Sequence, residues 1–137
     1  MPLPVAANQL CTLVADKLGC AHVGLGLRNG LQVQVVAVSH QMQFDRRVES
    51  LSRIEAAMEE CLDQDLEVIH PAADTAIYAS RAAAKLSEGH GPSGVLSLPI
   101  REDGGAAAVM TLERPPERPF NSVEEIETVR LICDLCA

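Results

Sequence analysis

The stretch GVLSLPIREDGGAAAVMTLERPPERPFNSVEEIE, residues 94 to 127, constrains the fold more than any other. Leu96, Leu98 and Ile100 alternate with their neighbours, and so do Ala108, Met110 and Leu112. Alternation at period two predicts strands, and the Asp103-Gly104-Gly105 between them predicts a hairpin. Pairing Ile100 with Ala106 aligns Leu98 with Ala108 and Leu96 with Met110. Arg101 to Gly105 are then a five-residue loop. Pro99 has no N–H to give, so its nitrogen should face away from a neighbouring strand. A Pro-rich strap leads to Phe120. Ser122 and Glu125 have capping-box spacing, and Ile126, Val129, Ile132, Cys133 and Cys136 give the last helix an apolar side.

The rest of the chain supplies partners for this ending. Leu10, Leu13, Val14 and Leu18 recur at helical spacing, with Gly19 as a stop. AHVGLGLRNGLQVQVVAVS reads as a second hairpin. A two-residue Asn29-Gly30 turn would set Leu27 against Gln32 and Leu25 against Gln34. A three-residue loop of Arg28, Asn29 and Gly30 pairs Leu27 with Leu31, Leu25 with Val33 and Val23 with Val35. It makes one face wholly apolar and is therefore preferred, with Gly30 in the left-handed region.

Asp45 can cap a helix carrying Val48, Leu51, Ile54, Met58 and Leu62 on one stripe. LEVIHP is a short strand closed by Pro71. Asp74 or Thr75 can cap an Ala-rich helix through Leu86. The order helix, two strands, helix, strand, helix, two strands, helix predicts an α+β sandwich with the terminal helices covering one sheet face.

With 137 residues and 47% hydrophobic content, one domain over 1–137 is expected, residues 1–7 forming a loose N-terminal segment. Aromatics are 2% and the formal charge is −8, which removes base-stacking platforms and repels phosphate backbones and anionic membrane faces. Neither a nucleic-acid partner nor membrane insertion is expected, since no apolar run reaches membrane length. Five cysteines without framework spacing fit a reducing, cytoplasmic compartment. Leu135-Cys136-Ala137 breaks off after an apolar helical run, as a fragment of a larger protein would.

The residues LVADKLGC, the Asn-Gly hairpin, GVLSLPI, AAAVMTLER and RPFNSVEEIE, in this order, resemble the GAF domain family. The resemblance covers Leu10 to Ala137, with one departure at Ala108, where the family usually has Gly. It implies a GAF/PAS-like antiparallel sheet of five to six strands, the terminal helices on one face and a ligand pocket on the other. Residues 39 to 64, SHQMQFDRRVESLSRIEAAMEECLDQ, resemble more narrowly the GAF modules placed before membrane-fusion adaptor subunits of bacterial efflux pumps.

Within that resemblance His40, Phe44, Arg46 and Arg47 border the pocket, Tyr78 lies in its lid, and Met58 and Met110 line it. Each has a plainer reading. His40 ends a strand, Arg46 and Arg47 can pair with Glu49 or Glu55, Tyr78 can pack with a wet hydroxyl, and the methionines can fill core. Arg46 and Arg47 nonetheless fall where a helix N-terminus disfavours positive charge, and an anionic partner would explain that.

No catalytic residue and no metal site is expected. The four histidines are scattered, and Cys133-x-x-Cys136 has no second pair and sits on an amphipathic helix. GHGPSG and Gly104-Gly105 do not match phosphate loops, so no cofactor can be named. The cyclic-nucleotide and linear-tetrapyrrole signatures of some relatives are missing.

The expected function is that of a sensory or regulatory domain, not an enzyme, that binds a small ligand or serves as a dimerising module. The alternatives are a ligand-free scaffold, or a thiol-dependent reductase of the free methionine sulfoxide type. A homodimer is expected through the Leu10–Leu18 and Ile126–Cys136 helices, because Leu131 and Leu135 lie outside the core-facing stripe.

Overall fold

The computed structural model describes residues 3–30, 32–39, 48–70, 81–89, 94–102, 105–115, 120 and 123–136. The elements are α1 (Leu3–Leu18), β1 (His22–Asn29), β2 (Gln32–Val38), α2 (Val48–Gln64), β3 (Val68–His70), α3 (Arg81–Gly89), β4 (Gly94–Glu102), β5 (Gly105–Arg114) and α4 (Val123–Cys136). Their order is the one the hydrophobic periods predict. α1 begins earlier than expected: residues 3–7, read as loose, are helical, and Ala7 is buried in the core. Pro4 falls in the first turn, where its missing N–H costs no helix bond. The proposed caps Asp45, Asp74, Thr75 and Ser122 lie outside the described residues.

The strands form one sheet in the order β2-β1-β5-β4-β3, every neighbouring pair antiparallel. α1 and α4 cover one face, packing Val14, Leu18, Val129 and Cys133 against Val23, Leu96, Leu98, Met110 and Leu112. α2 and α3 cover the other, packing Ile54, Met58, Leu62 and Leu86 against Val33, Val68, Val95 and Val109. The result is the α+β sandwich expected, with the terminal helices on one side.

Both hairpin registers differ from expectation, the first because the sheet is buried on both faces. In the first, Leu27 pairs with Gln34, Arg28 with Val33 and Asn29 with Gln32; beyond a bulge, Leu25 pairs with Ala37. Val33 and Val35 therefore belong to the α2 side, while Leu25 and Ala37 belong to the α1 side. A single apolar face was the wrong criterion for a sheet with two cores. Gly30 does take a left-handed φ of 67°.

In the second hairpin Ile100 pairs with Ala108, Leu98 with Met110 and Leu96 with Leu112. Glu102 reaches Gly105, so the strands run two residues further than the five-residue loop allowed, with a bulge near Ile100. A two-residue displacement leaves every side chain on its intended face, so the hydrophobic pattern could not detect it.

Both edges of the sheet are managed by side chains. On edge strand β2, Val33 donates its N–H to Glu59 at 3.1 Å and Val35 donates to Glu55 at 3.0 Å, both glutamates on α2. Val38 donates to Asn8 of α1 at 3.0 Å. These bonds occupy backbone donors that would otherwise invite another strand. The next α2 carboxylate, Glu60, accepts from Ala82 at 2.9 Å and Ala83 at 3.3 Å, supplying acceptors to the first turn of α3. At the opposite edge the described β3 residues pair with Val95 to Ser97, so Pro99, which pairs with Val109 of β5 on its other side, is not asked for an N–H by β3.

Candidate functional site

Of the seven residues expected to meet a ligand, His40, Phe44, Arg46, Arg47 and Tyr78 lie outside the described residues. The structure places the other two but does not bring them together. Met58, on α2, is wholly buried against the sheet, where a Cβ on Gly26 would stand 2.5 Å from its sulfur and 2.7 Å from Val33 Cγ1. Met110 is also wholly buried, but in the core under α1 and α4. The sheet stands between them. Alternation along β5 sends Ala108, Met110 and Leu112 to the terminal helices, so Met110 cannot share a cavity with Met58.

Cys11, Cys20, Cys61 and Cys133 are buried thiols, none of them in a disulfide. The Cys61 thiol donates to the Leu66 carbonyl at 3.2 Å. Burial pushes its pKa up to about 12, and the nearby Asp65 and Glu67 carboxylates add to the shift. It is a neutral, inert thiol at physiological pH. Among the described residues no cluster of three His, Cys, Asp or Glu side chains could hold a metal ion.

An open cavity of about 370 Å³ is lined by Leu66, Glu67, Leu98, Pro99, Arg101, Arg130 and Cys133. Its position follows from how α2 ends. Asp65 donates its N–H to Leu62 and Leu66 donates to Cys61, the paired bonds of a Schellman turn. Such turns usually place Gly in the left-handed position. Here Asp65 occupies it at φ 52°, the one described non-glycine residue with positive φ, at a cost of roughly 1 kcal/mol.

Arg101 holds that turn. Its Nε donates to Asp65 Oδ1 at 2.9 Å and its Nη2 to the Asp65 carbonyl at 2.8 Å. Arg130 of α4 donates through Nε and Nη2 to the two carboxylate oxygens of Glu67. That hydrogen-bonded contact raises the pKa of Arg130 above its ordinary value.

The sequence reading missed this constellation. It assigned Arg101 to a loop, and no glycine follows α2 to mark the turn. Only the Pro99 edge signal pointed to this end of the sheet.

The GAF domain family model matches residues 2–137. No curated protein sequence matches the chain. Among solved structures, the chain is similar to a GAF domain/HD domain protein from Geobacter sulfurreducens, at 11% identity and a TM-score of 0.70, over 98% of this chain and 89% of that one. It is also similar to the GAF domain of a phosphoenolpyruvate-protein phosphotransferase from Coxiella burnetii, at 14% identity and a TM-score of 0.67, over 97% and 79%. A type II free methionine-R-sulfoxide reductase from Thermoplasma acidophilum shares 12% identity and a TM-score of 0.63, over 96% and 87%.

Proposed function

Because this chain belongs to the GAF domain family, we propose that it is a non-enzymatic regulatory module that dimerises through α1 and α4 and takes a small ligand on its α2/α3 side. The carrying observation is a pair of leucines. Leu13 on α1 is 62% exposed and Leu131 on α4 is 61% exposed, on two helices that cover the same sheet face. Large aliphatic side chains left in water on neighbouring elements mark a contact surface, and two-fold pairing is the simplest closed arrangement. Sedimentation at tens of micromolar tests this, and a dimer dispersed by Leu131→Glu is the expected result. A monomer unchanged by that substitution removes the dimer.

The ligand half of the reading rests on His40, Phe44, Arg46, Arg47 and Tyr78. His40→Ala and Arg47→Ala should each weaken ligand retention at least tenfold, about 1.4 kcal/mol, while leaving the fold intact. Native mass spectrometry of protein purified from expressing cells supplies the ligand. Recovery of no retained small molecule favours a scaffold.

The reductase alternative takes its support from the Thermoplasma neighbour. The burial of the four described thiols and the raised Cys61 pKa speak for the non-enzymatic reading. Sulfoxide-dependent thiol consumption would reverse it. The five unframed cysteines support a reducing, cytoplasmic location. No described helix is long and apolar enough to cross a membrane. The narrower likeness to bacterial efflux-adaptor modules rests on residues 39 to 64 alone.

A further inference from the structure

We infer that the cavity between β4, the α2–β3 link and α4 is a second ligand site, which takes a short-chain aliphatic carboxylate. It lies at the edge of the sheet beyond β3, away from the α2/α3 side, and does not depend on the ligand reading given above.

Three observations converge on it. The first is space: about 370 Å³, within the range of small-molecule sites. The second is its chemistry. Leu66, Leu98 and Pro99 form apolar walls, and Leu66 keeps 40% of its surface exposed beside the opening. Arg101 and Arg130 supply the polar end. Each guanidinium spends Nε and Nη2 on its own acidic partner. Neither set of bonds uses Nη1, so each arginine keeps a donor group for an incoming acceptor. The arginines are thus pre-oriented by Asp65 and Glu67 rather than consumed by them, which lowers the ordering cost of binding. The third is strain. Asp65 is held in the left-handed region by the same arginine that lines the cavity, and such outliers concentrate where geometry serves a site.

The charge balance selects among ligands. Asp65 and Glu67 offset Arg101 and Arg130, so the rim is close to neutral before binding. A multiply charged anion would find no excess field there, and the chain's net charge of −8 opposes it at long range. A single carboxylate can accept from the two Nη1 groups while a branched aliphatic body of a few carbons covers Leu66, Leu98 and Pro99. Neutral amides lose the charge assistance, and amines meet the wrong end of each arginine.

The test is a ¹H–¹⁵N correlation titration of the whole chain with 4-methylpentanoate, 4-methylpentanamide and 3-methylbutylamine, each taken to millimolar concentration. The carboxylate alone should move the amides of Leu66, Glu67, Arg101 and Arg130 in a saturable way. Arg101→Gln and Arg130→Gln should each weaken that response at least tenfold. Leu66→Ala probes the apolar wall at an exposed position, outside the core and independently of the ion pairs, and should weaken it as well. Saturable shifts by the amide equal to those of the carboxylate would overturn the proposal, as would shifts confined to residues near Gly24 and Gly26, or no shifts in the wild-type chain. Sedimentation reads the dimer separately, so failure of either idea leaves the other standing.

Discussion

Arg114 at the end of β5 grips both carboxylate oxygens of Glu125 in the first turn of α4, with Nη1 2.7 Å from Oε2 and Nη2 3.2 Å from Oε1. Nη1 also donates to the Leu18 carbonyl at the end of α1 at 3.2 Å, and the guanidinium lies 4.3 Å from the centre of the Phe120 ring. One cation therefore joins the close of α1, the strap and the opening of α4. Arg114 is almost fully buried, whereas the Glu125 side chain is one-third exposed. Removing the carboxylate leaves a buried charge short of its counterion. Discounted for that exposure, Glu125→Ala should cost about 2 kcal/mol in urea unfolding. A loss below a few tenths would mean that the Leu18 carbonyl and Phe120 suffice.

Gly26→Ala should destabilise by about 1–3 kcal/mol, because the new methyl meets Met58 and Val33. The cause is contact and not backbone conformation, so it should couple to Met58. In a double-mutant cycle with Met58→Ala, the second cavity should absorb part of the first clash. Strict additivity would argue against the Met58 contact.

Cys61 gives a pH dependence. Burial holds its folded pKa at about 12, above the ordinary thiol value of 9.0. The folded state therefore holds the thiol proton more tightly than the unfolded state does. That contribution is fully present below pH 9.0 and is lost as pH rises toward about 12. Comparing Cys61→Ala with the wild type cancels the other alkaline groups. The wild type should lose more stability across that window, and parallel curves would refute the burial effect.

Glu59→Ala should free the Val33 N–H on the β2 edge and speed its hydrogen exchange, with a smaller effect at Val35, which Glu55 still holds. The converse pattern should follow Glu55→Ala. Exchange rates unmoved by either change would show that α2 shields these amides by coverage alone.

The element order was legible because each apolar run keeps one period, and Leu10 to Leu18 or Leu96 to Ile100 could not serve another element. Register was not. Val33 and Val35 fit either face of β2, since both faces find a core, and the bulge beside Leu25 leaves no mark in composition. The cavity was less legible still. Arg101 and Arg130 are distant in sequence, as are Asp65 and Glu67 from their partners, and what joins them is a helix end whose usual glycine is replaced by Asp65. The expected pocket residues mostly fall outside the described stretches, and Met58 and Met110 were grouped by residue type across a sheet that separates them.

Every residue from Gly94 to Ile100 is buried, and so is every residue from Ala108 to Arg114. In an ordinary amphipathic strand, half the positions form a neutral reserve in which changes accumulate without penalty. The paired centre of this sheet has no such reserve. A saturation scan there would show intolerance without alternation, while Leu27 to Asn29 at the exposed end of β1 would accept most replacements. Sequence drift in this domain is thereby channelled to its periphery, and the buried stretches of β4 and β5 change only by exchanging one well-fitting side chain for another.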